Sequence, residues 1–166
     1  MASGNALLLF TGGAGRPPSA SYAIPNLRNG HLVWSFSGTA DEELVFEGVL
    51  PPHYGGGGLT IDTWWSLVSA TSGSFRVQTS IERMDVSSLD IDADSFAAAN
   101  SAGGTAPGTS GQFVKVTVTH TSGAEMDSLV AGEPFRLKVR RDADGTSGTD
   151  DITTKAELLR VLVKET

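Results

Sequence analysis

The sequence predicts an all-β fold, and three observations carry the prediction. Gly, Ser and Thr fill 54 of 166 positions, a composition suited to short strands joined by tight turns. Charged residues make up only 19%, so the Lys and Glu that long helices use heavily are scarce. Apolar residues also recur at every second position in runs bounded by Gly, Pro or Asn. A chain of this length is the size of one domain, and a two-sheet antiparallel β-sandwich, of jelly-roll type, is the economical way to pack seven or eight such strands.

Residues 1–30 differ from the rest. Ala6-Leu7-Leu8-Leu9-Phe10 leads into Thr11-Gly12-Gly13-Ala14-Gly15-Arg16-Pro17-Pro18, with Pro25 and Asn29-Gly30 beyond. Such a segment offers little side-chain surface to bury. It reads as an extended Gly/Pro-rich arm, leaving 31–166 as the sandwich domain.

From His31 the strand signals are dense. In His31–Phe36, Leu32, Trp34 and Phe36 share a face; Leu44–Leu50 follows, closed by Pro51-Pro52. In Leu59–Val68 the inward set is Leu59, Ile61, Thr63, Trp65 and Leu67, so the Trp64-Trp65 pair must split with Trp64 outward. Phe75, Val77, Thr79 and Ile81 alternate with Arg76, Gln78, Ser80 and Glu82, the pattern of a half-buried antiparallel strand. Residues 85–111 are weakly patterned. Three more strands are expected at Phe113–Thr121, Pro134–Arg141 and Ala156–Lys164, with one helical turn over Ala124–Leu129. The last strand has helical propensity too; alternating Val161 and Val163 favour strand.

Several functions drop out. There is no cysteine, which excludes disulfide scaffolds, thiolate metal sites and cysteine catalysis. No apolar run approaches the roughly 20 residues of a membrane-spanning helix, and no basic region precedes Ala6–Phe10, so neither a membrane partner nor a signal peptide is expected. A net charge of −7 without Lys/Arg blocks argues against nucleic acid. His31, His53 and His120 are isolated, no nucleophile elbow is present, and neither Gly12-Gly13-Ala14-Gly15 nor Gly55–Gly58 has the setting of a phosphate loop. Glu47, Asp62 and Glu82 lie on strands without the paired arrangement glycoside hydrolysis requires. No enzyme and no cofactor are expected.

Acidic clusters and outward faces remain. Asp142-Ala143-Asp144-Gly145 followed by Asp150-Asp151 resembles the start of a calcium loop but lacks a closing Glu, and an ordinary turn between strands is the preferred reading. Asp90, Asp92 and Asp94 read as a solvated loop. Arg136, Lys138 and Arg140 alternate with Phe135, Leu137 and Val139, giving a basic stripe on an acidic protein. Leu158 and Leu162 are expected to face away from Leu159, Val161 and Val163. That strand is then apolar on both faces, and one face needs a covering loop or subunit.

Three stretches resemble a known group. Ile61-Asp62-Thr63-Trp64-Trp65-Ser66-Leu67-Val68-Ser69-Ala70, Gly73-Ser74-Phe75-Arg76-Val77-Gln78 and Met126-Asp127-Ser128-Leu129-Val130-Ala131-Gly132-Glu133-Pro134-Phe135-Arg136-Leu137 resemble β-sandwich accessory proteins of tailed bacteriophage virions, over roughly residues 30–164. The resemblance implies a jelly roll with a structural place on the outer capsid surface, made in the host cytoplasm. It would be a decoration, or cement, protein bound to the major capsid protein. A three-fold site would make it a homotrimer. Arg16, Trp64, Arg136, Lys138, Arg140, Leu158 and Leu162 are the candidate partner-binding residues. The alternative is a carbohydrate-binding module of a phage tail or fibre that uses exposed aromatics, with Trp64, Tyr22 and Tyr54 as candidates.

Overall fold

Alternating side chains put one face of every long strand into a shared interior. In a computed structural model, which describes residues 4–87 and 89–166, the chain forms ten strands: β1 (Ala6–Thr11), β2 (Ile24–Arg28), β3 (His31–Phe36), β4 (Glu42–Val49), β5 (Leu59–Leu67), β6 (Ser74–Arg83), β7 (Asn100–Thr105), β8 (Phe113–His120), β9 (Pro134–Arg141) and β10 (Ala156–Glu165). Short 3-10 turns occupy Gly12–Ala14 and Ala124–Met126, the second inside the expected helical turn. No helix among the described residues is long and apolar enough to cross a membrane.

The strands form two antiparallel sheets. One has the order β2-β3-β10-β5-β8, with β1 also paired to β10; the other has the order β4-β9-β6-β7. Strands β3 to β10 are distributed as in a jelly roll, four to each sheet, and β1 and β2 enlarge the first. The sandwich predicted from alternation is the fold observed.

Trp65 lies at the centre of the core. It is fully buried, edge-on to Phe36 at 5.0 Å and to Phe75 at 5.8 Å between ring centroids, which ties the two sheets together. Its indole N–H donates to Thr63 Oγ1 at 2.7 Å, and the Thr63 hydroxyl donates to the Val116 carbonyl at 3.0 Å, so no buried donor is orphaned there. Leu44, Phe46, Ile61, Ile81, Leu137 and Val161 belong to the same core.

The first 30 residues are not an arm set apart from the domain. Strand β1 pairs with β10, and β2 with β3. Between them the chain runs beside β4: Arg16 exchanges backbone bonds with Val45, and Ser21 and Ala23 bond to Glu43. The segment thus closes the exposed edge of the second sheet, where unpaired backbone groups would otherwise lie. Leu7, Phe10 and Ala23 join the core, with Phe10 stacked on Phe46 across the sheets at 5.2 Å. The scarcity of side chains that suggested a free arm instead permits close approach. A Cβ on Gly15 would lie 2.8 Å from Leu44 Cδ2 and 2.9 Å from the Trp34 indole nitrogen.

Strand β7, within the weakly patterned 85–111, also escapes sequence detection. Its sequence, Asn-Ser-Ala-Gly-Gly-Thr, has no strand signature. Gly104 is required there because a Cβ would come within 2.5 Å of the Phe75 ring.

His120 joins β8 to β6. The ring is 1% exposed; its Nδ1–H donates to the Glu125 carbonyl at 3.1 Å, and Nε2 accepts from the Thr79 hydroxyl at 2.7 Å. Burial pushes its pKa below the usual value, against the raising effect of the Glu125 carbonyl and charge.

Two stability measurements follow from this packing. Phe10→Ala should lower unfolding free energy by about 3 kcal/mol, read from urea melts, because it empties a cross-sheet contact. The unfolded chain binds a proton on His120 at a higher pH than the folded chain does. Stability should therefore fall as pH drops below about 6.5, and His120→Gln should flatten that slope between pH 7.5 and 5.

Candidate functional site

The outer face of the six-stranded sheet is organised by an irregularity in its central strand. Strand β10 pairs with β5 along its whole length, but on its other side it serves β3 at Ala156–Leu158 and β1 at Arg160–Lys164. Leu159, at the changeover, has no partner in the ladder, and the register shifts between Leu158 and Arg160. This is a β-bulge, which re-aims side chains and sharpens local twist. It moves Leu158 onto the core face with Val161 and Val163, at 1% exposure, and leaves Leu159 and Leu162 half-buried on the outer face. The expected pairing of Leu158 with Leu162 outward is thereby corrected: strict alternation fails where one extra residue intervenes.

Cross-strand register arranges the outer face in rows. Ser35, Glu157, Ser66 and Phe113 form one row; Thr11, Arg160, Trp64 and Lys115 form the next; Leu9, Leu162, Asp62 and Thr117 form a third. Successive rows stand roughly 7 Å apart along the strands. Trp64 is half-buried at the middle of the second row, while Leu9 and Phe113 are 58% and 61% exposed. Three depressions of about 260, 310 and 230 Å³ converge on Leu159. Together they make an open groove with Trp64, Phe113 and Leu9 on its floor.

Polar groups frame this apolar strip. Glu157, 2% exposed, receives Arg28 Nη1 at 2.5 Å; the same nitrogen donates to Ser66 Oγ at 3.1 Å and to the Leu67 carbonyl at 3.2 Å. In the third row Asp62, also 2% exposed, receives Lys164 Nζ at 2.7 Å and the Thr117 hydroxyl at 2.6 Å, with Lys115 at 3.7 Å. Burial pushes the Asp62 carboxyl up, but these hydrogen bonds and charges outweigh it and hold the group below the usual carboxylate range.

The sequence candidates separate accordingly. Trp64 and Leu162 meet on this face. Leu158 is in the core. Arg136, Lys138 and Arg140 are not a free basic stripe: they pair with Glu82, Glu43 and Asp41, and Phe96 lies under Arg136 and Lys138 at 5.0 and 4.7 Å. Arg16 is beside β4, 3.8 Å from Glu47. Tyr54, expected to be exposed, is buried with its hydroxyl on the Gly57 carbonyl, and Tyr22 bridges to Glu43 of the other sheet.

The calcium triple is also rearranged. Asp150 chelates the fully buried Arg141 at 2.8 and 2.9 Å, leaving Asp41, Asp142 and Asp144 as the acidic group whose oxygens lie within 4.8 Å of one another. Burial raises the Asp142 carboxyl, yet bonds from Ser147, Asp144 and Thr146 bring it down to about 2. Both Asp142 oxygens are already engaged by Thr146 and Ser147, and Asp41 by Arg140. Asp90 caps its own loop at Asp92.

Phe113, Leu159, Arg160, Arg28 and Glu157 were not singled out from sequence. Phe113 was legible in principle, because Val114, Val116 and Val118 face inward and leave it outward with Lys115. The Arg28–Glu157 pair was not: its members are 129 residues apart and meet only through sheet pairing.

No family model matches the chain, and no curated protein matches it in sequence. Solved structures do match. The CBM22-1 xylan-binding domain of Paenibacillus barcinonensis Xyn10C superposes with a TM-score of 0.54 at 11% identity, over 98% of this chain and 96% of that one. The xylan-binding module CBM15 gives 0.51 at 10% identity, over 96% and 97%. The CBM22-1–GH10 modules of Clostridium thermocellum Xyn10B, complexed with xylohexaose, give 0.51 at 10%, covering 98% of this chain and 29% of that one. The likeness is one of fold.

The polar frame can be tested by its own energetics. Arg28→Met strips Glu157 of its cation and should cost about 2 kcal/mol, whereas Arg28→Met with Glu157→Leu should recover most of that in the same chemical melts.

Proposed function

We propose that this protein is a carbohydrate-binding module and that the groove across β1, β10, β5 and β8 holds a segment of a polysaccharide. The observation that carries the reading is the Trp64 platform, half-buried at the centre of an open groove and bordered by cationic and hydroxyl side chains. A sugar ring offers an apolar C–H face and a rim of hydroxyls. It calls for an aromatic surface with a few directed polar groups beside it. An open groove, rather than an enclosed pocket, suits a chain that enters and leaves.

The domains similar in fold are described as xylan-binding, which supports a saccharide ligand without choosing the sugar. Binding without turnover is favoured as well. Hydrolysis needs two carboxyl groups flanking the glycosidic bond, and the two on this face, Asp62 and Glu157, are buried and held by cations.

The decoration-protein reading drew on a free arm, a basic stripe and an uncovered apolar strand face. The arm and the stripe are engaged inside the domain, and the apolar face is the groove floor. The resemblance to phage virion proteins would place such a module on a tail or fibre.

Affinity electrophoresis against soluble xylan, galactan, glucomannan and uronate-rich polymers tests the proposal. At least one polymer should retard the protein. Trp64→Ala should weaken that binding tenfold or more, about 1.4 kcal/mol, with an unchanged thermal midpoint. Mobility unaffected by every polymer, or retardation of Trp64→Ala and Phe113→Ala undiminished from that of the unaltered protein, would overturn it.

A further inference from the structure

The groove is electrically unlike the rest of the molecule. The chain carries a net charge of −7, yet among the outward side chains of these strands four cations, Arg28, Lys115, Arg160 and Lys164, accompany two carboxylates, Asp62 and Glu157, Glu165 lying on the core side of β10. Both carboxylates are already committed. Glu157 is held by Arg28 at 2.5 Å and Asp62 by Lys164 at 2.7 Å.

Arg160 is the cation left over. Nine of the twelve Lys and Arg side chains form an ion pair. Of the other three, Arg76 donates to Ser101 on β7, Lys155 lies in the loop before β10, and Arg160 stands on the groove. Among the described residues Arg160 has neither an acidic partner nor a side-chain hydrogen bond. It is exposed, lines two of the three depressions, and sits between Thr11 and Trp64 in the middle row.

We infer that the ligand is an acidic polysaccharide, and that Arg160 binds the carboxylate of a uronic acid unit while Trp64 takes a sugar ring beside it. The inference rests on the carbohydrate reading and names its substrate class. A guanidinium presents parallel N–H donors in a flat fork, which a planar carboxylate fills with two charge-assisted bonds. A polymer bearing only hydroxyls would leave that charge unanswered. The surplus of positive charge on this face, against an acidic remainder, also steers an anionic chain to the groove rather than elsewhere on the surface.

The test compares polymers that differ only in charge. Glucuronoxylan, polygalacturonate and alginate are each measured beside their carboxyl-reduced forms, with a sulfated xylan alongside, against the full chain. A uronate polymer should bind at least tenfold more tightly than its reduced form at low ionic strength, and added salt should narrow the gap. Arg160→Gln should abolish the difference while residual binding to the reduced polymer persists, and Trp64→Ala should weaken both.

Equal affinity for the reduced form, a preference unchanged in Arg160→Gln, or sulfated xylan binding as tightly as the uronate polymer would overturn the uronate assignment and leave the carbohydrate reading standing. Absence of binding to every polymer would overturn both.

Discussion

Strand β10 has to satisfy three neighbours with two edges. Strand β5 takes one edge entirely; β3 and β1 divide the other, and they meet it at different registers. The single inserted residue, Leu159, reconciles them. Because of it, Ala156, Leu158, Val161 and Val163 all reach the core, while Glu157, Arg160 and Leu162 are presented outward beside β5 and β1. Without the bulge, the first half of β10 would turn its apolar side chains to solvent and bury Glu157 against Trp65. The core and the groove are therefore two consequences of one local irregularity.

The two sheets treat their outer faces differently, and the difference has a functional meaning. On the four-stranded sheet the cations of β9 are answered by Glu82, Glu43 and Asp41, and Phe96 is folded beneath them. Such partly exposed pairs add about 0–1 kcal/mol each, so their chief effect is to leave the three cations of that stripe matched. The six-stranded sheet keeps Trp64, Phe113 and Leu9 accessible and leaves Arg160 unpaired. The apolar surface left exposed there and a lone guanidinium add little to folding. Both become useful when a ligand with an apolar face and an anionic group settles there.

The N-terminal segment shows how composition misleads about location. A stretch rich in Gly and Pro has little to bury, and by that measure residues 1–30 belong outside the domain. Yet the edge of β4 and the far half of β10 each need a backbone partner, and backbone pairing requires no side chain. Small residues let the segment cross close over Trp34 and Leu44, where its Gly12 carbonyl accepts the Trp34 indole N–H at 2.7 Å. The need lay in the strands being paired, not in the segment that meets it.

Alternation over His31–Phe36, Leu59–Leu67, Phe113–His120 and Pro134–Arg141 was enough to specify β-strands, the inward side chains of most of them, and the outward aim of Trp64, because those features follow from a two-residue period within a single strand. Strand β7 was not legible, since its Gly104 is dictated by the Phe75 ring above it. Nor was the neutralisation of Arg136, Lys138 and Arg140, whose partners come from β4, β6 and the Asp41 turn. Tertiary structure alone decided that Arg28 would meet Glu157, that β10 would bulge at Leu159, and that Arg160 would stand unpaired beside Trp64. Each depends on which strands become neighbours and at what register, and a sequence pattern local to one strand carries no information about the strand it will pair with.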